Sequence, residues 1–243
     1  MSDKLEVKLF GSIAFLLNEK PVRSAPTRAA QALLVYLLHQ PHPVERERLI
    51  GMFYQASTPS QAAANFRSTL SRLRKELAPF LSVTRQAVGM APDVCIEVDS
   101  VTFAQQAADE AWESALSLYQ GDFLAGFYLR EAPEFEEWVL MERERLRLLA
   151  VQGLQKVAAD KRRQGDYWAA LQMVTQLLGI EPLLEEVHRD KMMLLARTGQ
   201  RPLALQQYQT AVALFEGEMG IAVAPATTAL YERIARLTLP PPC

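Results

Sequence analysis

Between residues 60 and 85 the chain carries Arg67, Arg72, Arg74, Lys75 and Arg85 against a single acid, Glu76. Most of these cations lie in TPSQAAANFRSTLSRLRKEL, residues 58–77, where Phe66, Leu70, Leu73 and Leu77 recur at helical spacing. At about 100° per residue those four share one narrow arc, and Gln61, Asn65, Ser68, Ser71, Arg72 and Lys75 land opposite. Arg67 and Arg74 lie at the border of the two faces, where a long guanidinium side chain still reaches a phosphate. Arg, Lys, Asn and Gln pair with base edges, and Ser with phosphate oxygens. The chemistry these residue types offer is non-covalent: recognition of a polyanion that also presents hydrogen-bonding edges. Any amphipathic helix has a solvated face, but such faces usually mix signs, and this one holds no acid.

The segments around this helix have to position it. Residues 28–39, RAAQALLVYLLH, place Ala29, Ala32, Leu33, Tyr36 and Leu37 on one stripe and predict a helix ended by Pro41 and Pro43. VERERLIGMF, residues 44–53, predicts a short helix with Val44, Leu49, Ile50 and Phe53 toward a core. Ser57, Thr58, Pro59 and Ser60 then supply cap residues. Helix, short helix, loop and basic helix is the order of a helix-turn-helix, whose last helix enters the major groove. Beyond Leu77 the period changes to two. Leu81, Val83, Val88, Ile96 and Val98, separated by turn-prone Gln86, Gly89, Pro92 and Asp93, predict a hairpin in the position of a wing, with Arg85 near its tip as a phosphate contact. Strands are expected at the start as well, in Leu5, Val7 and Leu9 and in the apolar run from Ile13 to Leu17, with a turn at Asn18, Glu19 and Lys20.

Strands before the helices and a hairpin after them look like the winged helix of the response-regulator (OmpR/PhoB) type. LEVKLFG, the helix opened by Arg28, VERERL, and NFRSTLSRLRKEL followed by VTR closely resemble the DNA-binding domain of the SARP family of antibiotic-pathway activators, over nearly all of residues 4–103. Two departures stand out. The family tends to place Gly in the first hairpin turn, where this chain has Glu19–Lys20, and often has a Leu-Trp pair where Phe53 and Tyr54 stand. Neither touches the basic helix.

The back half is helical and repeats itself. Gly165-Asp166-Tyr167 and Gly199-Gln200-Arg201 open matching segments 34 residues apart, the period of a tetratricopeptide repeat, with Ala170 over Ala204 and Leu171 over Leu205. Pro182 is expected to begin the second helix of the first repeat. Phe135, Trp138, Val139, Leu146, Leu149 and Val157 form the stripe of a long helix, and TTALYERIARL a last one before Pro240, Pro241 and Pro242. LYQGDFLAGFY, EFEEWVLMERERLR, GDYWAALQ, the run from Glu181 to Tyr208 and ALYERI closely resemble the bacterial transcriptional activation domain, which in the SARP family directly follows the winged helix. The expected fold class is mainly α with small β-sheets: a winged helix-turn-helix over residues 1–103 and a TPR-like all-α domain over 104–243. The linker near Val101 to Glu110 has no Gly or Pro, which predicts a packed junction.

Composition narrows the function classes. The 243 residues are 49% hydrophobic with a net charge of −2, so basicity as a whole does not argue for nucleic acid. Distribution does: the first 100 residues hold 12 Lys and Arg against 9 Asp and Glu, and the remainder 14 against 19. Cys95 and Cys243 are too few for a disulfide framework, no signal peptide opens the chain, and no run spans a bilayer, so a reduced cytoplasmic setting without membrane contact is expected. Catalysis finds no support. His39, His42 and His188 have no metal-ligand spacing, and no Gly-rich phosphate loop occurs. His39 is expected at a helix C-terminus, where positive charge is favoured; Glu131, Glu134, Glu136 and Glu137 suit a helix start. Arg143, Arg145 and Arg147, alternating with Glu142 and Glu144, predict a solvated face with internal ion pairs. No enzyme activity, cofactor or metal is expected.

Together these observations predict a transcriptional regulator that docks its basic helix on double-stranded promoter DNA. Asn65, Ser68, Ser71, Arg72 and Lys75 would face bases and phosphates, Arg67, Arg74 and Arg85 would hold the backbone, and Arg28 is a lesser candidate for the same role. The resemblance implies direct-repeat sites, two protomers arranged as a homodimer on DNA, and recruitment of RNA polymerase. The alternative is a helical-repeat interaction module whose winged helix contacts protein, or the front part of a larger signalling ATPase regulator.

Overall fold

The computed structural model describes residues 3–23 and 27–236; Pro240–Pro242 and Cys243 fall outside the described residues. Three strands open the chain: β1 (Lys4–Lys8), β2 (Ala14–Leu17) and β3 (Lys20–Pro21). Leu5 stands opposite Leu17 and Val7 opposite Phe15 in the antiparallel β1–β2 pair. The β2–β3 turn bends through Asn18 and Glu19, at φ 48° and 66°. Two consecutive left-handed residues match the twist of a tight hairpin. Asn18 suits such a site, and its amide oxygen accepts from Lys4 N at 2.9 Å.

Helix α1 (Arg28–Leu38) starts at Thr27, whose hydroxyl accepts from Ala30 N. It buries Ala30 and every residue from Ala32 to Leu37, far more than a stripe, because it lies at the centre of its unit. A short strand β4 (Val44–Glu45) precedes α2 (Arg46–Tyr54). This corrects the expectation of a helix from Val44: Val44 pairs with Val88, and Ile50 is only half-buried while Met52 fills the core. Helix α3 (Pro59–Leu77) follows, with Thr58 at its N-cap and Pro at its first position, then a 3-10 turn (Ala78–Phe80). Strands β5 (Leu81–Val83) and β6 (Ala87–Met90) form the hairpin, in the order β4-β6-β5.

Strand β7 (Cys95–Val98) leaves the wing. It runs parallel to β1, with Leu5 beside Ile96 and Val7 beside Val98, and closes a sheet ordered β3-β2-β1-β7. Ile96 and Val98 therefore belong to the N-terminal sheet and not to the hairpin. Alternation fixes which face a strand buries but not its neighbour, so the sequence could not separate the two placements. Gly89 is no turn residue either. It lies in β6, where an added Cβ would sit 2.8 Å from Pro43 Cα. The expected linker is a helix, α4 (Asp99–Ala108), with Phe103 and Ala107 buried.

The remaining helices are α5 (Trp112–Leu118), α6 (Pro133–Arg163), α7 (Tyr167–Ile180), α8 (Glu185–Arg197), α9 (Arg201–Met219) and α10 (Pro225–Ala235). The chain divides into two compact units. The first takes in Ser117–Leu146 along with the chain up to Glu110; the second is Ala111–Leu116 and the chain from Arg147 onward. This partition differs from a cut at residue 103, because the start of α6 packs with the winged helix. Phe135 is fully buried, 5.2 Å from the Phe53 ring, and Trp138 lies 5.1 Å from Tyr36. Phe10 forms an isolated bridge with Phe123.

In the second unit the repeat is visible in the backbone. Gly165 and Gly199 both sit at φ 79°, a left-handed conformation open to glycine. Each is followed by the same closing bond, Asp166 N to Lys161 O at 2.9 Å and Gln200 N to Leu195 O at 2.8 Å. Ala170 and Ala204 are both fully buried. Pro182 does not begin α8; it stands in the preceding turn, and its carbonyl accepts from His188 Nε2 at 2.7 Å. That histidine is enclosed, with Gln207 Nε2 donating to its Nδ1 at 2.8 Å, and burial holds its pKa below the ordinary 6.5.

Candidate nucleic-acid interface

Helix α3 sorts its residues as the spacing predicts. Phe66, Leu70, Leu73 and Leu77 are buried, joined by Ala62 and Thr69. Burying each of the large side chains is worth about 1.5–3 kcal/mol, so this stripe fixes the rotation of the helix. Thr69 receives a hydrogen bond from Tyr54 Oη at 2.7 Å, a polar clamp between α2 and α3 where the family often has Trp. Burial raises the Tyr54 pKa above 10.0, which keeps the phenol protonated and donating.

On the far side Gln61, Asn65, Arg67, Ser68, Ser71, Arg72, Arg74 and Lys75 are all exposed. Gln61 accepts from Thr58 Oγ1 at 3.1 Å, while the other seven side chains have no hydrogen-bond or ion-pair partner among the described residues. Glu76, the one acid nearby, is turned aside: its Oε2 accepts from the backbone N–H of Arg23 at 2.7 Å. The face is therefore cationic, solvated and uncompensated. Arg85 is exposed at the turn between β5 and β6, and Thr84 stiffens that turn by accepting from Gln86 N at 3.2 Å and Ala87 N at 2.9 Å. Arg28 stands apart. Its Nη1 donates to Tyr128 O at 3.0 Å, and its guanidinium lies 5.5 Å from the centre of the Phe127 ring.

Several charged residues serve positioning. Glu134 pairs with Arg48 at 2.7 Å and accepts from Gln55, which ties the start of α6 to α2. Asp99 accepts from Leu9 N, Phe10 N and Ser100 N, pinning the end of β1 to the start of α4. Burial pushes its pKa up, and those three N–H groups oppose the rise. The Arg143 face is not purely solvated: Arg143 donates to the Phe123 carbonyl at 2.9 Å and the Leu124 carbonyl at 3.1 Å, while Arg145 pairs with Glu142 at 2.6 Å. His39 caps the C-terminus of α1, as the sequence predicts. Its Nδ1 bonds Val35 O at 2.8 Å and its Nε2 Ser100 Oγ at 3.0 Å, and burial lowers its pKa from 6.5, which opposes the positive charge expected at this helix end.

Glu134 stands in the first turn of α6, as its spacing predicts; its partners on α2, and the roles of Arg46 and Asp99, have no signal in the sequence because they depend on distant segments. Among the described residues no cluster of His, Cys, Asp and Glu is built to hold a metal, and no helix is long and apolar enough to cross a membrane.

Residues 100–235 match the family described as the bacterial transcriptional activator domain. The regulatory protein AfsR of Streptomyces coelicolor is 28% identical over 96% of this chain, and that of Streptomyces griseus 26% identical over 97%. The chain spans about a quarter of the length of these relatives, 24% and 25%. A solved structure described as Mycobacterium tuberculosis EmbR in complex with a low-affinity phosphopeptide shares the fold, with a TM-score of 0.63 and 22% identity over 97% of this chain and 66% of that one. Both relatives are named as regulatory proteins and not as enzymes. Small sheets around a basic helix, followed by a helical repeat that the family match covers, make this chain a member of the bacterial transcriptional activator domain family, built as the SARP-type regulators are.

Proposed function

We propose that this chain is a sequence-specific, double-stranded-DNA-binding transcriptional regulator that activates promoters. In this reading α3 lies in the major groove. Asn65, Ser68, Ser71, Arg72 and Lys75 meet bases and phosphates, and Arg67, Arg74 and Arg85 hold the backbone. The observation that carries the reading is the exposed face of α3, on which four cations have no anionic partner among the described residues. Arg28, engaged by Tyr128 and Phe127, makes at most an accessory contact. The winged helix of residues 1–103 forms the DNA-binding domain, with residues 117–146 bracing it, and the helical repeats supply the surface for RNA polymerase. Two protomers occupy direct repeats as a homodimer on DNA.

A gel shift of the full chain against its own upstream DNA, at low and moderate salt, tests this. Affinity falls steeply with salt if cations displace condensed counterions from phosphates. Binding that ignores salt, or no binding at all, removes α3 as a DNA contact and favours a protein-contact role for the winged helix.

A further inference from the structure

Arg46 opens α2 and stands outside the α3 face. Its backbone N–H donates to Gln86 O at 2.8 Å, at the foot of the turn that carries Arg85. Its guanidinium lies 6.0 Å from the centre of the Phe66 ring. Its Nε is buried and has no hydrogen-bond partner among the described residues. Leaving a buried charged donor unmatched is costly, so this guanidinium is not satisfied by the described residues alone. The same side chain lines a surface cavity of about 410 Å³ together with Arg67, Ser71, Arg74 and Lys75. Four cations and a hydroxyl meet there, and no carboxylate lines the space. Such a concentration of one sign favours an anion with several acceptor oxygens.

We propose that this cavity seats one backbone phosphate of the duplex, gripped between α2 and α3, with Arg46 as its inner cation. The proposal rests on the DNA-binding reading of α3. Ser71 and Lys75 belong both to the cavity and to the DNA-facing side of α3, so an anion seated here is continuous with a duplex on that face. Contact between Arg46 and the Phe66 ring limits the rotamers of the guanidinium before DNA arrives, which lowers the entropy lost on binding. Through Gln86 the same residue also holds the root of the wing, so one phosphate sets the position of α2, α3 and the hairpin together. A phosphate contact carries no sequence information; this seat fixes register and leaves discrimination to the rest of α3.

The test is fluorescence anisotropy of a labelled mixed-sequence duplex with the full chain across a salt series. Arg46→Gln keeps a polar side chain and removes the charge; it is expected to flatten the log–log salt slope by about one. Arg74→Gln, on the same phosphate, does likewise, and the double variant loses less than the product of the two single fold-losses. Should Arg46→Gln melt below the unaltered chain, Ala78→Glu, at an exposed position lining the cavity, fills the seat with a carboxylate and has to reproduce the lower slope. If the unaltered chain binds no duplex, the DNA-binding reading itself falls. If it binds and Arg46→Gln and Ala78→Glu keep the full slope, or the Arg46 and Arg74 losses simply multiply, the seat alone is overturned. Inorganic phosphate gives the remaining arm: saturable binding that Arg46→Gln abolishes, with duplex affinity untouched, would assign the cavity to a free anion instead.

Discussion

Arg72 and Asn65 are both exposed near the middle of the α3 face, and each can place paired hydrogen bonds on a single base edge. Replacing Arg72 or Asn65 with Ala is expected to weaken binding to the preferred site by about 1–3 kcal/mol and to relax the choice of base at one position. Site selection from a randomised duplex pool measures this, and an unchanged consensus in both variants would place base reading elsewhere on the helix. A second residue carries a stability effect with no bearing on DNA. Glu19 holds φ at 66° in the turn where the family tends to have Gly, and a side chain there pays a steric penalty that glycine avoids. Glu19→Gly is expected to stabilise the first unit by about 0.5–1 kcal/mol, after allowing for the greater freedom of glycine in the unfolded chain. Urea unfolding checks it; a lower midpoint would mean that Glu19 makes a compensating contact.

At the scale of elements, the first half of α6 decides how much chain the winged helix needs. Phe135 lies 5.2 Å from Phe53 and 6.3 Å from Phe127, and Trp138 lies 5.1 Å from Tyr36 and 5.5 Å from His39. The Arg48–Glu134 pair beside them is half exposed, with side-chain exposures of 57% and 37%, so screening leaves it well under 1 kcal/mol. Apolar packing holds this brace. A fragment ending at Glu110 strips it away and is expected to lack cooperative unfolding, whereas one ending at Leu146 keeps it; Phe135→Ala in the full chain is expected to cost the first unit about 3–5 kcal/mol. Equal thermal transitions for the two fragments would show that the brace is dispensable. The sequence made the periodic elements legible. The stripe of α3, the presence of helix α1 and the matched Gly165 and Gly199 turns all follow from local spacing. It did not show that β7 crosses to β1, that Val44 pairs with Val88, or that Phe135 completes the winged helix, because each depends on a partner 44 or more positions away. The exposed polar and basic face of α3 was readable from helical period alone. Arg46 was not, since its significance comes from the cavity it shares with α3.

For the molecule as a whole, charge is unevenly distributed along the chain. The first 100 residues carry 12 bases against 9 acids and the remainder 14 against 19. The acids of the remainder concentrate in residues 101–146, most of which belong to the first unit, while Ala111–Leu116 and the chain from Arg147 onward hold 11 bases against 10 acids, so net charge alone does not set the second unit against a phosphate backbone. On the proposed reading, in which α3 and the wing carry the DNA contacts, the second unit should have no specific DNA affinity of its own while being required for activation. A site with two direct repeats should bind the full chain more tightly than a single repeat by more than the doubling of sites explains, because a contact between protomers raises the effective concentration of the second. Binding isotherms on one-repeat and two-repeat duplexes measure that gain. In transcription with purified RNA polymerase, the full chain should raise output from the two-repeat promoter, and a fragment ending at Leu146 should occupy the same promoter without raising it. If that fragment activates as well as the full chain, the polymerase contact lies on the winged helix or its brace, and the repeats of α7 to α10 take a sensing or scaffolding role.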